Sequence, residues 1–403
     1  MKTLMILSTV PDGRLEMCLK EAAALSYRTV FCGTETDERI RALADACYRT
    51  DWNDTEGLIR IAAAEKIDGV IGLADPAVLP AAKVAAALGL PGNTPESMEI
   101  LLSKNGFRAL QERAGLFCPR HAVFNTYSEI GDRLDSFSWP LIVKPLLCSS
   151  SFGQTILENR EGLAEAFAGA AELSRNGAVC IEEYIRPGSL RSVEADVFVF
   201  GGEILWEGLR DSWHLESAPL RPLYDVYPAH MTEAEEEEFR KEVSGALKGA
   251  GVRFGQFNVE GFFNAAGRFF IVEINPRPSG YYNPQHIEIS SGINLTKLLV
   301  SLAVGDREYY ESLKSFQRTA RNVISYSVFS RREGELDYVY IDPLLLTHLK
   351  SFDSLYRSSR GDHVKDNLKA KWPIGQAAFV FDNAEELEMA REKIEELVRV
   401  ILL

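Results

Sequence analysis

The stretch Phe269-Phe270-Ile271-Val272-Glu273-Ile274-Asn275-Pro276-Arg277 decides the fold of this chain, read together with Gln256-Phe257-Asn258-Val259-Glu260-Gly261-Phe262-Phe263 upstream. Both segments have the apolar, aromatic and β-branched character of strands, and the linker Asn264-Ala265-Ala266-Gly267 has hairpin-turn chemistry. Folding them about that linker sets Glu260 opposite, or nearly opposite, Glu273. Side chains alternate along a strand, so Asn258 and Glu260 share one face, as do Glu273 and Asn275. Two carboxylates facing each other in an otherwise apolar hairpin repel. A divalent cation removes the repulsion, and magnesium takes carboxylate and amide oxygens with phosphate oxygens in its remaining positions. Arg277, just past the strand end, offers a planar fork to a phosphate or carboxylate. The pattern taken alone also fits an edge hairpin with solvated acids.

A chain of 403 residues, 46% hydrophobic and 25% charged, has the composition of a soluble globular protein of two or three domains. A net charge of −14 argues against a nucleic-acid-binding surface and leaves room for a local basic cleft for phosphate. The cysteines (18, 32, 47, 118, 148, 180) lack C-x-x-C spacing and fit reduced thiols rather than disulfides or a zinc site. The run Leu4-Met5-Ile6-Leu7 is too short for a signal segment, and no apolar stretch approaches membrane-spanning length. The expectation is a cytoplasmic protein with neither nucleic acid nor membrane as partner.

Along the first 95 residues, strands at Leu4–Ser8, Thr29–Cys32 and Gly69–Leu73 alternate with helices at Leu15–Leu25, Thr36–Ala46, Thr55–Glu65 and Pro76–Leu88. Such alternation predicts a parallel, doubly wound sheet. The loop Pro11-Asp12-Gly13 lacks G-x-G-x-x-G, so a dinucleotide site is not supported. A helix is predicted over 97–115 with Lys104 inside it. The strand Leu141–Pro145 delivers Lys144, followed by the small-residue loop Ser149-Ser150-Ser151-Phe152-Gly153. A lysine at the end of a buried strand is costly unless it meets an anion, and the loop offers N–H groups and hydroxyls to phosphate. It equally fits a structural loop. Further strands are expected at Val179–Ile185 and, as a hairpin about Gly201-Gly202, at Val193–Phe200 and Gly202–Leu209. The glutamates at Glu233–Glu238 read as a solvated helix face. Beyond Gly305, strands at Val323–Phe329 and Ala377–Phe381 precede an amphipathic helix over Ala384–Leu402. No histidine pair has metal-site spacing and no G-x-S-x-G elbow is present.

Taken in order, Lys104, Lys144 with its serine/glycine loop, Glu182-Glu183-Tyr184-Ile185, Ser192-Val193-Glu194, Asn258-x-Glu260 and Glu273-x-Asn275-Pro276-Arg277 resemble the ATP-grasp superfamily, specifically its carboxylate–amine ligases. The resemblance implies mixed α/β and α+β architecture. Residues 1–95 would form a Rossmann-like pre-ATP-grasp domain, 96–310 the two ATP-grasp lobes (the small lobe at about 115–190) and 311–403 a small α+β domain. It also implies roles. Lys104 and Lys144 would contact the α- and β-phosphates of ATP, and the loop with Ser149, Ser150, Ser151 and Gly153 would close over them. Glu182, Glu183, Tyr184 and Ile185 would hold adenine, with Glu194 near the ribose. Glu260, Glu273 and Asn275 would bind Mg2+, or Mn2+ in its place. Arg277 would steady the transferring phosphate. Leu190-Arg191 stands where many members carry a glutamate, a departure from the pattern beside the ribose contact.

The implied chemistry is phosphorylation of a carboxylate by ATP and attack of an amine on the acyl-phosphate, giving an amide or peptide bond, ADP and phosphate. The partners are then small-molecule carboxylate and amine substrates, an amino acid among them, and the relatives imply a homodimer. Trp213, His214, Ser279, Gly280 and Tyr281 are candidates for the substrate pocket, Tyr281 fitting equally a packing role at the lobe interface. A carboxylate or carbamate kinase resembling carbamoyl-phosphate synthase, and an ATP-binding regulator without turnover, are the alternatives. A biotin-dependent carboxylase fits less well, because the Val-Glu-His-Pro segment typical of those enzymes is missing after Arg277.

Overall fold

The apolar runs near the amino terminus pair as a parallel sheet. Strands β1 (Thr3–Leu7), β2 (Arg28–Gly33), β3 (Ala46–Arg49) and β4 (Gly69–Gly72) lie in the order β3-β2-β1-β4. Every residue of β1 is buried, as expected for a parallel strand covered on both faces. Helices α1 (Gly13–Ala24), α2 (Glu38–Leu43), α3 (Thr55–Ala64) and α4 (Asp75–Leu88) alternate with these strands. The span predicted as one helix over Thr36–Ala46 is shorter. Ala44 is extended, and Ala46 already pairs with Val30 as the start of β3. Winding from β1 to β3 on one side and crossing to β4 on the other puts a topological switch point between β1 and β4.

The computed structural model describes residues 1–403 except 11, 148–152, 216–217, 355–357 and 367–372; of 215 and 218–221 it describes the backbone alone. After the parallel sheet come α5 (Pro95–Leu102) and α6 (Lys104–Arg113), not the single helix predicted over 97–115. Ser103 is extended between them, and its hydroxyl accepts from the Gly106 N–H at 3.1 Å, so Lys104 opens a helix instead of lying within one. A small antiparallel sheet follows, of β5 (His121–Phe124), β6 (Leu141–Pro145), β7 (Thr155–Leu157) and β8 (Val179–Glu183), in the order β5-β8-β6-β7. Helix α7 (Leu163–Leu173) packs on it through Leu163, Phe167 and Ala170.

The large sheet takes β9 (Arg191–Phe200), β10 (Glu203–Leu205), β11 (Arg210–Leu215) and β12 (Ala218–Tyr227). It then takes β13 (Phe254–Phe263) and β14 (Phe269–Asn275) after α8 (Glu233–Gly249). Helices α9 (Asn283–Ser291) and α10 (Leu295–Ala303) lead on to β15 (Asn322–Val328), β16 (Gly334–Ile341), β17 (Leu349–Asp353), β18 (His363–Val364), β19 (Gly375–Phe381) and β20 (Val398–Leu402). Among the described residues nine strands join in the order β14-β13-β9-β11-β12-β15-β19-β17, with β10 paired to β9. Strands from beyond residue 311 therefore extend the central sheet, while β16, β18 and β20 form a three-stranded sheet of their own. The predicted helix over Ala384–Leu402 ends early. Helical turns at Ala384–Glu392 and Ile394–Leu397 give way to β20, because Val398, Val400 and Ile401 suit a strand and pair with β16.

Two cores fix the site-bearing strands. Phe257, Val259, Phe269, Ile271 and Ile274 pack against Phe239, Val243 and Ala246 of α8. A capping box between Thr232 and Glu235 starts that helix. Leu15, Leu19 and Ala22 of α1 pack on Leu295, Leu298 and Leu302 of α10, which seats the parallel sheet against the large one.

Candidate active site

Strands β13 and β14 pair in the expected register, with Glu260 opposite Glu273 and Asn258 opposite Asn275. The register extends into β9, where Glu194 lies beside Glu260 and Asp196 beside Asn258. One row across three strands thus reads Glu273, Glu260, Glu194, and the next reads Asn275, Asn258, Asp196. The amide of Asn275 donates to Glu260 Oε1 at 3.2 Å and to Glu273 Oε1 at 3.0 Å. Burial, then the facing Glu273 and Glu194, push the Glu260 carboxyl well above the usual carboxylate range. Two crowded carboxylates and a carboxamide oxygen are hard donors of the kind magnesium takes, and a cation relieves the repulsion that raises Glu260.

A bulge makes this face possible. Strict alternation puts Phe269, Ile271, Glu273 and Asn275 on one side of β14, mixing core with site. The ladder shifts by one residue between Glu260–Glu273 and Gly261–Ile271, leaving Val272 as the extra, exposed residue. Phe269 and Ile271 then face the α8 core with Ile274, while Glu273 and Asn275 face the site. Gly261 sits at this irregularity. A Cβ there would lie 2.4 Å from the Phe269 ring and 2.6 Å from the Phe270 carbonyl oxygen.

Beside the acidic row lies Arg210, which is 1% exposed and was not singled out by its sequence context. It pairs with Glu194 at 2.5 Å and Asp196 at 3.0 Å, and lies 3.6 Å from Asp225. Burial pushes the Asp225 carboxyl up to about 7 against the pull of Arg210. Asp196 also accepts from Gln256 and from the backbone N–H of Ser279, both at 2.8 Å, which ties the loop after Arg277 to the sheet. His286 on α9 is buried and bonded to the Ser325 hydroxyl at 2.8 Å; burial, then Arg210, draw its imidazole down to about 3, so it is neutral.

Lys144 meets an anion, as its burial demands. Its ammonium lies 2.6 Å from Glu182, the neighbour of Ile142 across β8. Arg108 of α6 grips the same carboxylate at 3.3 Å and donates to the carbonyls of Ile271 and Val272, each at 3.1 Å. It therefore joins the small sheet to the bulge that shapes the acidic row. Burial alone would raise the Glu182 carboxyl, but Arg108 and then Lys144 outweigh it and hold it well below the usual range. Glu183 accepts from the Ser138 N–H at 2.7 Å, and the Tyr184 N–H donates to the Pro140 carbonyl at 2.8 Å. Tyr184 and Ile185 follow β8, partly exposed.

The remaining expected residues divide. Ser149, Ser150 and Ser151 lie outside the described residues. Gly153 has φ +72, and a Cβ there would stand 2.6 Å from Leu173, so the end of that loop requires glycine. Lys104 is the first residue of α6 and acts electrostatically on Asp75. His214 lies on the site face, 2.9 Å from the Ser192 hydroxyl. Trp213 does not. As the alternate residue of β11 it turns to the opposite face, stacks on Tyr224 at 6.2 Å between ring centroids and carries Arg391 above it at 4.6 Å. The sequence reading groups Trp213 with His214 as substrate-pocket candidates, and the structure sets the two on opposite faces of β11. Ser279 is buried, Gly280 leads into the turn, and Tyr281 takes φ +54 in the loop before α9.

Arg277 lies just beyond Asn275, and the Glu260 and Glu273 charges act on it. Its Nε donates to Asp75 Oδ1 at 2.7 Å and its Nη1 to the Pro278 carbonyl at 3.0 Å. Asp75, Arg108, Asp196 and Arg210 were all missed by sequence reasoning. No spacing signal links Arg108 to Glu182 or Asp75 to Arg277, 74 and 202 residues away, and Arg210 meets Glu194 and Asp196, 16 and 14 residues away, only through the pairing of β9 with β11.

The family model described as "Carbamoyl-phosphate synthase L chain, ATP binding domain" matches residues 104–307, half of the chain, and "ATP-grasp N-terminal domain" matches residues 19–92. The carbamoyl phosphate synthase large chain of Micrococcus luteus is 25% identical over 301 residues, covering 72% of this chain and 26% of that one. An uncharacterized Sinorhizobium fredii protein, y4rH, is 25% identical over 72% of this chain and 60% of its own length. This chain thus spans only part of the relatives it matches. Among solved structures, the L-amino acid ligase of Bacillus licheniformis superposes with a TM-score of 0.83 at 21% identity, over 100% of this chain and 99% of that one. N5-carboxyaminoimidazole synthetase from Staphylococcus aureus, complexed with ADP, gives 0.73 at 16% identity over 97% and 96%. Both likenesses show the fold. Among the described residues no helix is long and apolar enough to cross a membrane.

Proposed function

The chain belongs to the ATP-grasp superfamily, and from that premise we propose that it is a carboxylate–amine ligase, joining an amino acid or similar carboxylate to an amine through an acyl-phosphate. The observation that carries the reading is the acidic row Glu194–Glu260–Glu273, with Asn275 beside it and Arg277 just beyond. Glu260, Glu273 and Asn275 hold Mg2+ in this reading, which supplies charge neutralisation at the phosphates.

The chain's own residues position and shield. Lys104 and Lys144 hold the phosphates of ATP, and Glu182, pinned by Arg108, fixes the direction of Lys144. The segment after β8, with Tyr184 and Ile185, borders the adenine, and Glu194 the ribose. Arg277 presents its guanidinium to the transferring phosphoryl group and to the substrate carboxylate. A carboxylate oxygen attacks the γ-phosphorus and ADP leaves. The amine nitrogen then attacks the acyl carbon, phosphate departs, and the nitrogen gives up a proton. No covalent enzyme nucleophile is required, so the rate depends on alignment and exclusion of water.

The relatives favour a second reading, phosphorylation of a carboxylate or carbamate without condensation, because the matching family model is named for carbamoyl-phosphate synthase. One experiment separates the two. The protein is incubated with magnesium-ATP and pools of amino acids, and phosphate release is followed with new amide masses. Release that depends on a pool, with a condensed product, is the expected result. Release without condensation favours the kinase, and no release from any pool removes the ligase reading.

A further inference from the structure

The carboxyl ends of β1 and β4 form the switch point of the parallel sheet, where open α/β sheets bind ligands. In this chain their loops grip the segment that follows the acidic row. From the β4 side, Asp75, the first residue of α4, accepts from Arg277 Nε at 2.7 Å. From the β1 side, Arg14 donates to the Pro278 carbonyl at 3.2 Å and is itself held by Asp12, the cap of α1, at 2.8 Å. Gly13 lies so close to Tyr282 that a Cβ there would stand 2.9 Å from the ring.

The sheet that delivers these loops is fixed in place. A Cβ on Gly69 of β4 would lie 2.1 Å from the Ala303 carbonyl oxygen, so β4 and α10 touch backbone to backbone. Arg277 side-chain exposure is 15% and that of Asp75 is 30%, so the pair is partly desolvated, and the charges of Glu260 and Glu273 act on Arg277. With Nε on Asp75 and Nη1 on Pro278, the plane of the guanidinium is set. Among the described residues Nη2 makes no hydrogen bond and is the group left for a ligand.

We propose that Asp75 is the positioning residue for Arg277: across the junction of the two sheets it aims the guanidinium at the reacting carboxylate and phosphoryl groups. The parallel sheet is then part of the catalytic apparatus and not only a support. The inference rests on the ligase reading for the role of Arg277, while the orientation it assigns to Asp75 is a property of the structure alone.

The test compares the wild type with Asp75→Ala, Asp75→Leu and Asp75→Glu. The readouts are carboxylate-dependent phosphate release, the KM for ATP, and crystal structures of the wild type and Asp75→Leu. Releasing the guanidinium by an ångström costs on the order of 10–100-fold in rate. Asp75→Ala and Asp75→Leu, which both lack an acceptor for Arg277 Nε, are expected to lose that much in kcat while the KM for ATP stays within about threefold, with Asp75→Glu recovering part of the loss. A merely structural tie would lower thermal stability without this split. If Asp75→Ala does not fold, the near-isosteric Asp75→Leu decides. Unchanged kcat in Asp75→Leu, or an Arg277 guanidinium that keeps its place in the variant structure, overturns the proposal. If the wild type releases no phosphate with any carboxylate, the ligase reading falls. The positioning claim then stands or falls on whether the guanidinium moves.

Discussion

Glu273→Gln removes one of two carboxylates that the hairpin forces together, and its effect has opposite signs with and without metal. Both Oε1 atoms lie close to one nitrogen, Asn275 Nδ2, at 3.2 Å for Glu260 and 3.0 Å for Glu273. They are therefore at most about 6 Å apart, and at an effective dielectric of about 20 two unit charges at that distance repel by about 3 kcal/mol. Metal-free Glu273→Gln should be more stable than the wild type, by less than that amount because the proton that burial and Glu273 drive onto Glu260 already relieves part of the repulsion, a rise on the order of a few degrees in melting temperature. With magnesium-ATP the order reverses. A ligand at a hundredfold its Kd stabilises by about 2.7 kcal/mol, and the variant, lacking a charged oxygen ligand, should lose most of that increment. Scanning calorimetry of both proteins, in chelator and in magnesium-ATP, measures both terms. A variant that melts below the wild type in chelator, and keeps the full magnesium-ATP increment, refutes the reasoning. The carboxylates would then be neither in conflict nor shared by a cation.

Arg108→Met takes one of the two cations from the buried Glu182 carboxylate, leaving it Lys144 and the Cys180 thiol, and strips two bulge carbonyls of their donor, so urea unfolding should show a loss of about 3–5 kcal/mol. Arg108→Lys should recover only part, since an ammonium cannot replace the planar fork. Glu182 also sets an acid limit. Its folded carboxyl lies below the ordinary value of 4.5, so its contribution is present above that pH and is lost as pH falls through the depressed value. Urea midpoints at pH 7, 5 and 3 should fall more steeply for the wild type than for Glu182→Gln. Gly261→Ala puts a Cβ 2.4 Å from the Phe269 ring; urea unfolding should show a loss of about 1–3 kcal/mol of stability, and a binding titration should show weaker magnesium-ATP affinity because the bulge can no longer hold Glu273 in line.

What the sequence by itself determined is local. The turn residues and the strand character of β13 and β14 were enough to bring Glu260 opposite, or nearly opposite, Glu273, because register in a short hairpin follows from turn length and side-chain period, and the bulge at Val272 supplies the last step of the match. The alternation of the first 95 residues likewise announced a parallel sheet, and the burial of Lys144 required an anion. Tertiary structure decided which anion: Glu182 reaches Lys144 only because β6 and β8 become neighbours. It decided that Val272 bulges, since the two-residue period must slip once to satisfy both the α8 core and the acidic row. It decided that Trp213 turns away from the site, that the chain beyond residue 311 adds strands to the central sheet, and that Arg108, Arg210 and Asp75 hold Glu182, Glu194 and Arg277. Arg108 and Glu182 lie 74 residues apart and Asp75 and Arg277 lie 202 apart, and even Arg210 and Glu194, 16 apart, stand on different strands. Periodicity carries information over the length of one element, and beyond it only packing brings charges together.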